Sequence, residues 1–277
     1  NSEVILMEGI GQKKETDYIF DKTIKCDVCG KEFKTKQVRT GKARFIGTDE
    51  VLKPLYEGID TCKYDVILCP HCGYAAAQRN YGHLTPKQRK AIRENVEPRF
   101  KAKENETETY SYERAVRRCK MAMLTEMVTG GKISESAYLC LKLAWLYRGE
   151  IEEAKANGGS QSDIDKYYKY EHEYLEDAYK GFKQALETEY PPIAGMDEMT
   201  IYYLLTSLAV ECGNKAEAKQ YSYFYFRSFP PQKYKSCYYS NNQQCYQNYL
   251  YYTYIQSRNF NCIFNEIKIH CCKRRFS

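Results

Sequence analysis

Two cysteine brackets carry the residues most able to do chemistry: Cys26-Asp27-Val28-Cys29-Gly30 and Cys69-Pro70-His71-Cys72-Gly73, with 39 residues between Cys29 and Cys69. A tetrahedral Zn2+ takes four ligands, with sulfurs about 2.3 Å away, and a Cys-x-x-Cys turn is a short loop that offers two thiolates to one ion. Two brackets therefore predict one structural Zn2+ site made by Cys26, Cys29, Cys69 and Cys72. The glycine after each second cysteine lets the chain turn tightly and aim backbone N–H groups at the sulfurs. Iron is chemically acceptable in the same sulfur cage. Four thiolates outweigh a divalent ion, and Lys25, Lys31 and Lys34 lie close enough in sequence to offset the excess. A closed site keeps no position for water. Its ion supplies folding energy, about 10–16 kcal/mol of apparent binding in peptide-scale sites, and no catalysis.

Competing chemistries are weaker. The Cys69-Pro70-His71-Cys72 bracket also carries a dipeptide found in thiol-disulfide oxidoreductases, but those need a low-pKa thiolate at a helix N-terminus and no second bracket upstream. Lys34, Lys36, Arg39, Lys42 and Arg44 interleave with Phe33, Val38 and Phe45, a pattern suited to nucleic acid. A half-buried strand produces the same alternation. Lys87, Arg89, Lys90 and Arg93 are partly balanced by Glu94, Glu97 and Glu104. His71 should point outward from its knuckle, and His83, His172 and His270 are isolated, so none pairs as ligand or base. Cys62 is read as a small buried apolar residue. GxSxG, P-loop, HExxH and GxGxxG are all missing, so the expectation is a non-enzyme.

Residues 1–17 are expected as a flexible arm. Residues 18–84 form a zinc-ribbon-like β module, with short strand runs at Asp21–Lys25, Phe33–Val38, Ala43–Ile46 and Tyr64–Leu68 delivering or receiving each knuckle. Residues 85–110 read as a connecting helix, opened by Thr85 as N-cap and Pro86 at the first turn, charged and short of core positions. Residues 111–221 read as a tetratricopeptide-like (TPR-like) antiparallel helical array. Ala115, Cys119, Ala122, Met123 and Met127 recur at helical spacing up to Gly130-Gly131, and Cys140, Leu143, Ala144 and Tyr147 fit the first helix of a repeat. Ala178, Phe182 and Ala185 fit its second helix, and Tyr202, Leu205, Gly213 and Ala218 begin another unit, with an over-long insertion at 149–165. An ordinary helical bundle satisfies the same spacing. Tyr147, Tyr202 and Tyr203 are candidate groove residues or core.

Residues 222–277 look aberrant. Over these 56 residues Ala, Gly, Val and Asp are absent while Tyr, Asn, Ser and Cys crowd in. Every codon for the four missing residues begins with guanine, so the segment is expected to be out of frame, starting near Gln220 to Ser222, or a disordered tail. Its cysteines carry no chemical inference. The whole chain is long enough for a sizeable core, and its net charge of +6 permits an acidic partner without demanding one. No run approaches the roughly 18 apolar residues of a membrane span. An odd cysteine count, thirteen, with four at metal spacing points to a reducing, cytoplasmic setting and no membrane partner.

A family resemblance rests on Tyr18-Ile19-Phe20-Asp21-Lys22-Thr23-Ile24-Lys25-Cys26, on Cys29-Gly30-Lys31-Glu32-Phe33-Lys34-Thr35-Lys36, on Tyr64-Asp65-Val66 leading into Cys69-Pro70-His71-Cys72-Gly73-Tyr74-Ala75, and on Leu143-Ala144-Trp145-Leu146-Tyr147-Arg148. Over roughly 18 to 221 the chain resembles the bacterial domain of unknown function 2225 family. The resemblance implies a zinc-ribbon-like N-terminus, a C-terminal helical repeat, and Cys26, Cys29, Cys69 and Cys72 at the matching ligand positions. It carries over no activity. The combined expectation is a mainly α protein, a zinc-binding adaptor for a protein or peptide. The β module is expected to melt on chelation while the helices after 111 stay intact.

Overall fold

The computed structural model describes residues 13–102 and 107–228. The chain is mainly α, with six helices following small antiparallel strand pairs among these residues. Strand β1 (Ile19–Lys25) pairs with β2 (Glu32–Val38), from Ile19 opposite Val38 to Lys25 opposite Glu32. The first cysteine bracket is the turn that joins them. Strand β3 (Phe45–Thr48) pairs with β4 (Pro54–Tyr56). Strand β5 (Val66–Leu68) pairs with β6 (Ala75–Ala77), with Leu68 opposite Ala75, and the second bracket is their turn. The first and third hairpins thus end in metal-type knuckles. The strand expected at Ala43–Ile46 lies two residues later, and the front of the Tyr64–Leu68 run is a 3-10 turn over Thr61–Tyr64.

Residues 1–12 and 229–277 lie outside the described residues, and with them most of the expected arm and tail. The last part of the arm is ordered. Glu15–Tyr18 forms a 3-10 turn whose Tyr18 is buried, and the Glu15 carboxylate pairs with Lys63 at 2.6 Å and accepts from the Tyr64 hydroxyl at 2.8 Å. At the other end, the expected boundary at 221/222 falls inside a helix, α6 (Lys215–Ser228). The helix carries Tyr221 and Tyr225 on the same face as Ala218. Tyr221 meets Tyr179 edge-on, and Tyr225 lies 6.4 Å from the Tyr203 ring.

Helix α1 (Pro86–Asn95) starts as expected, with Thr85 and Gln88 forming a reciprocal cap. It does more than connect: Ile92 and Val96 are fully buried in the core of the cysteine module. Helix α2 (Tyr112–Thr129) runs from the Ser111 cap to Gly130, whose φ of +64° ends it in a left-handed turn. Helix α3 (Ile133–Ala156) and α4 (Gln161–Thr188) absorb nearly all of the expected 149–165 insertion, leaving a four-residue turn at 157–160. The two run antiparallel, because Lys155 meets Tyr168, Arg148 meets Glu171 and Ser134 meets Glu189. Helix α5 (Glu198–Glu211) and α6 return in the same way, with Tyr202 on Phe224 and Tyr203 on Tyr225.

The β module and the helices share one core. Val51, Leu52, Cys62, Val66, Leu68 and Ala75 are buried in the same cluster as Ala115, Cys119, Leu139, Leu143 and Trp145. Polar contacts pin the junction. Arg118 of α2 donates to the Val66 carbonyl at 3.1 Å and the Thr35 hydroxyl at 3.0 Å, Trp145 Nε1 donates to the Val51 carbonyl at 3.1 Å, and Lys142 pairs with Asp65. Tyr147 and Tyr203 are buried, and Tyr202 is half-buried.

Candidate metal centre

The two knuckles are copies of one turn. In the first, the Cys26 amide donates to the Lys31 carbonyl at 2.9 Å and the Gly30 amide to the Cys26 carbonyl at 2.9 Å. In the second, Cys69 donates to Tyr74 at 2.8 Å and Gly73 to Cys69 at 3.1 Å. Gly30 and Gly73 have φ of +73° and +78°, a region that side chains other than glycine's occupy at a cost. This tight return brings both sulfurs of each bracket to the same side of its hairpin.

All four Sγ atoms lie within 4.8 Å of one another. Two of the separations run between brackets, Cys26 to Cys72 at 3.6 Å and Cys29 to Cys69 at 3.7 Å. Four sulfurs set tetrahedrally about 2.3 Å from one ion are about 3.8 Å apart, whereas a disulfide needs about 2.05 Å. The cluster therefore has the dimensions of a metal cage. Cys26, Cys69 and Cys72 are buried, and Cys29 is partly exposed.

The electrostatics agree with that reading. Hydrogen bonds from Cys69 and Cys72 hold the Cys26 thiol far below its ordinary range, while the Cys69 thiol is pushed up to about 12, mainly by its hydrogen bond to Cys26. Cys72 is raised too, by the same sharing. The Cys26 thiolate is stabilised at the expense of Cys69 and Cys72, so ionising those as well requires a cation among them. The knuckle amides already face the sulfurs: the Val28 N–H donates to Cys26 Sγ at 3.4 Å. Lys25, Lys31 and Lys34 are exposed.

Other residues close the centre. Arg93 of α1 donates through Nε to the Val28 carbonyl inside the first knuckle at 2.9 Å. Tyr81 stacks on Tyr74 at 4.6 Å and meets Phe33 edge-on, while Phe100 packs over Gly73. On the helical side, Thr125 of α2 accepts from the Ala75 amide at 3.3 Å. Sequence reasoning missed these residues. Arg93 was one charge in a mixed run, and Ile92 and Val96 were two apolar positions in a polar helix. Their only signal was the four-residue spacing that places both on one face.

The remaining candidates are dispersed. His71 is exposed, as expected, and Cys62 is buried, with burial raising its thiol. Lys36 pairs with Asp21 at 2.9 Å, and Arg39 donates to the Ile19 carbonyl at 2.9 Å while lying over the Phe20 ring. Lys34, Lys42 and Arg44 are exposed. Lys34 and Lys36 border a cleft of about 310 Å³ that also contains Asp21 and Glu108. No helix among the described residues is long and apolar enough to cross a membrane.

Hairpins ending in a four-cysteine cage, seated on an antiparallel set of helices, define a mainly α protein with a candidate metal-stapled β module. A family model described as an uncharacterized protein conserved in bacteria (DUF2225) matches residues 19–228, and the chain belongs to that family. The match, like α6, runs through 228, past the boundary expected at 221. No curated protein and no solved structure matches the chain.

Proposed function

We propose that the chain is a non-enzymatic, cytoplasmic adaptor, in which a structural Zn2+ held by Cys26, Cys29, Cys69 and Cys72 staples the β module and a TPR-like helical array binds a protein or peptide. The observation that carries this reading is the sulfur cage itself. Four thiol ligands complete a tetrahedron and leave no open position for water or substrate, which suits a structural ion and not a catalytic one. Zinc is favoured over iron because two such brackets are a common structural zinc set, although the sulfurs alone accept either. The array supplies the binding role, since stacked antiparallel helix pairs create extended grooves.

Two other readings have less support. For nucleic acid, Lys36 and Arg39 are engaged within the first hairpin. For thiol-disulfide exchange, Cys69 and Cys72 do not stand alone as a pair, since each also lies within 3.7 Å of a sulfur in the other bracket. The test is elemental analysis of the purified full chain, with thiol alkylation before and after chelator. The expected result is one zinc per chain and four thiols that react only once chelator is added. Colour from a sulfur-bound iron would reassign the ion, and a metal-free protein whose four thiols react at once would overturn the proposal. For the partner, reversing the charges of Lys34, Lys42 and Arg44 should leave a captured protein bound.

A further inference from the structure

Lys120 projects from α2 into a cluster of tyrosines. Its Nζ lies 5.6 Å from the ring centroid of Tyr147, 5.6 Å from that of Tyr170 and 5.9 Å from that of Tyr174, and it donates to the Tyr147 hydroxyl at 3.0 Å. Tyr147 comes from α3, while Tyr167, Tyr170 and Tyr174 follow one another at three- and four-residue steps along one face of α4. Tyr147 is the floor: it stacks on Tyr174 at 5.8 Å with ring planes 10° apart, and meets Tyr170 at 5.2 Å and Tyr167 at 6.3 Å. Carboxylates surround the cluster. Glu150 and Glu173 both act on the Tyr147 hydroxyl, and Glu113 acts on Glu150 and Tyr167.

This is the arrangement that binds an alkylammonium. Ring faces present negative charge to a cation, each contact contributing about 0.5–1 kcal/mol at an exposed site. Among the described residues no carboxylate lies within ion-pairing distance of Lys120, so its closest partners are ring faces and the Tyr147 and Tyr174 hydroxyls, with Glu150 acting on it from farther off. The lysine is exposed, whereas the tyrosines beneath it are buried or half-buried. Its ammonium can therefore swing into water without disturbing the helices, and it is itself a sample of the ligand chemistry the cluster accepts.

We propose that Tyr147, Tyr170 and Tyr174 form a cation-accepting cage that Lys120 occupies in the free protein, and that a partner protein docks by inserting a lysine side chain in its place. Glu113, Glu150 and Glu173 favour a basic segment around that lysine. The idea rests on the adaptor reading and names the chemistry of its partner. A free polyamine offers the same ammonium, so the experiment separates the two sources.

The test uses the full chain, its Lys120→Ala variant, and Lys120→Ala combined with Tyr170→Leu and Tyr174→Leu. Calorimetric titration with Nα-acetyl-lysine amide should show at least tenfold tighter binding to Lys120→Ala than to the native chain, loss with the tyrosine changes, and none for the uncharged norleucine amide. Equal binding to native and Lys120→Ala chains, or by norleucine amide, would overturn the cage. A lysine within a glycine-flanked peptide should bind more tightly than spermidine, and the reverse order would overturn docking of a protein. Should Lys120→Ala lose its helical circular dichroism, the native chain answers by NMR. The Lys120 ε-methylene protons, shifted upfield by the rings, should move to their free position when the peptide saturates, and no movement refutes displacement. Capture of a partner that survives Tyr170→Leu and Tyr174→Leu would sink the cage and leave the adaptor standing, whereas a native chain that captures nothing removes the adaptor itself.

Discussion

Gly30 and Gly73 occupy the same place in their knuckles and have nearly the same positive φ, but their surroundings differ. A Cβ on Gly30 would meet nothing within 4 Å, whereas one on Gly73 would lie 2.6 Å from the Phe100 ring. Alanine at either site incurs backbone strain of about 1–3 kcal/mol. Gly73→Ala must also push Phe100 off the second knuckle. Gly73→Ala should therefore lower the urea midpoint more than Gly30→Ala and speed release of the ion to a chelator. Equal midpoints and equal release rates for the two variants would show that Phe100 has no part in holding the centre. The glycines were legible in the sequence as turn residues. Phe100 was not, because a contact across 27 positions leaves no local pattern.

Among the elements, α1 departs most from its sequence reading. A mean composition rich in charge suggested a solvent-crossing connector, yet two residues one turn apart, Ile92 and Val96, are enough to seat it on the cysteine module. Arg93 then reaches the Val28 carbonyl from the same helix. Truncating a fully buried isoleucine to alanine costs about 2–5 kcal/mol. Ile92→Ala should destabilise the chain by that order in urea melts and raise the rate at which chelator strips the metal. A variant with wild-type metal release would return α1 to the role of a tether. The reason such helices mislead is that burial is decided by a few side chains on one face, while composition averages over all of them.

At the scale of the whole molecule, the sequence suggested two modules that fold apart, and the packing joins them. Val66, Leu68 and Ala75 share a core with α2 and α3, and the buried Arg118 and Lys142 find their partners in the β module. Removing the ion should thus weaken the helices as well. Chelation is expected to give a single, lower thermal transition by helical circular dichroism, in step with the fluorescence of Trp145. That is the only tryptophan in the chain, and its Nε1 donates to the Val51 carbonyl across the junction. Helical signal that persists after the fluorescence has changed would restore the picture of separable modules. The coupling has a physical cause: a three-residue strand pair is too small to bury its own apolar face and borrows the helices to do so.

Read alone, the sequence was enough for the four-cysteine candidate set, the hairpin character of both brackets and most helix boundaries, because each depends on residues within a few positions of one another: Cys-x-x-Cys-Gly, Thr85-Pro86, Ser111, Gly130. It also placed the chain in its family through those local runs. Packing was needed to bring the four sulfurs to cage distances, to close α1, Phe100 and Tyr81 over them, and to set Lys120 among tyrosines from two other helices. Those outcomes depend on groups brought together from 27 to 65 positions apart. Spacing along a chain records which face a residue takes, and packing chooses what that face meets.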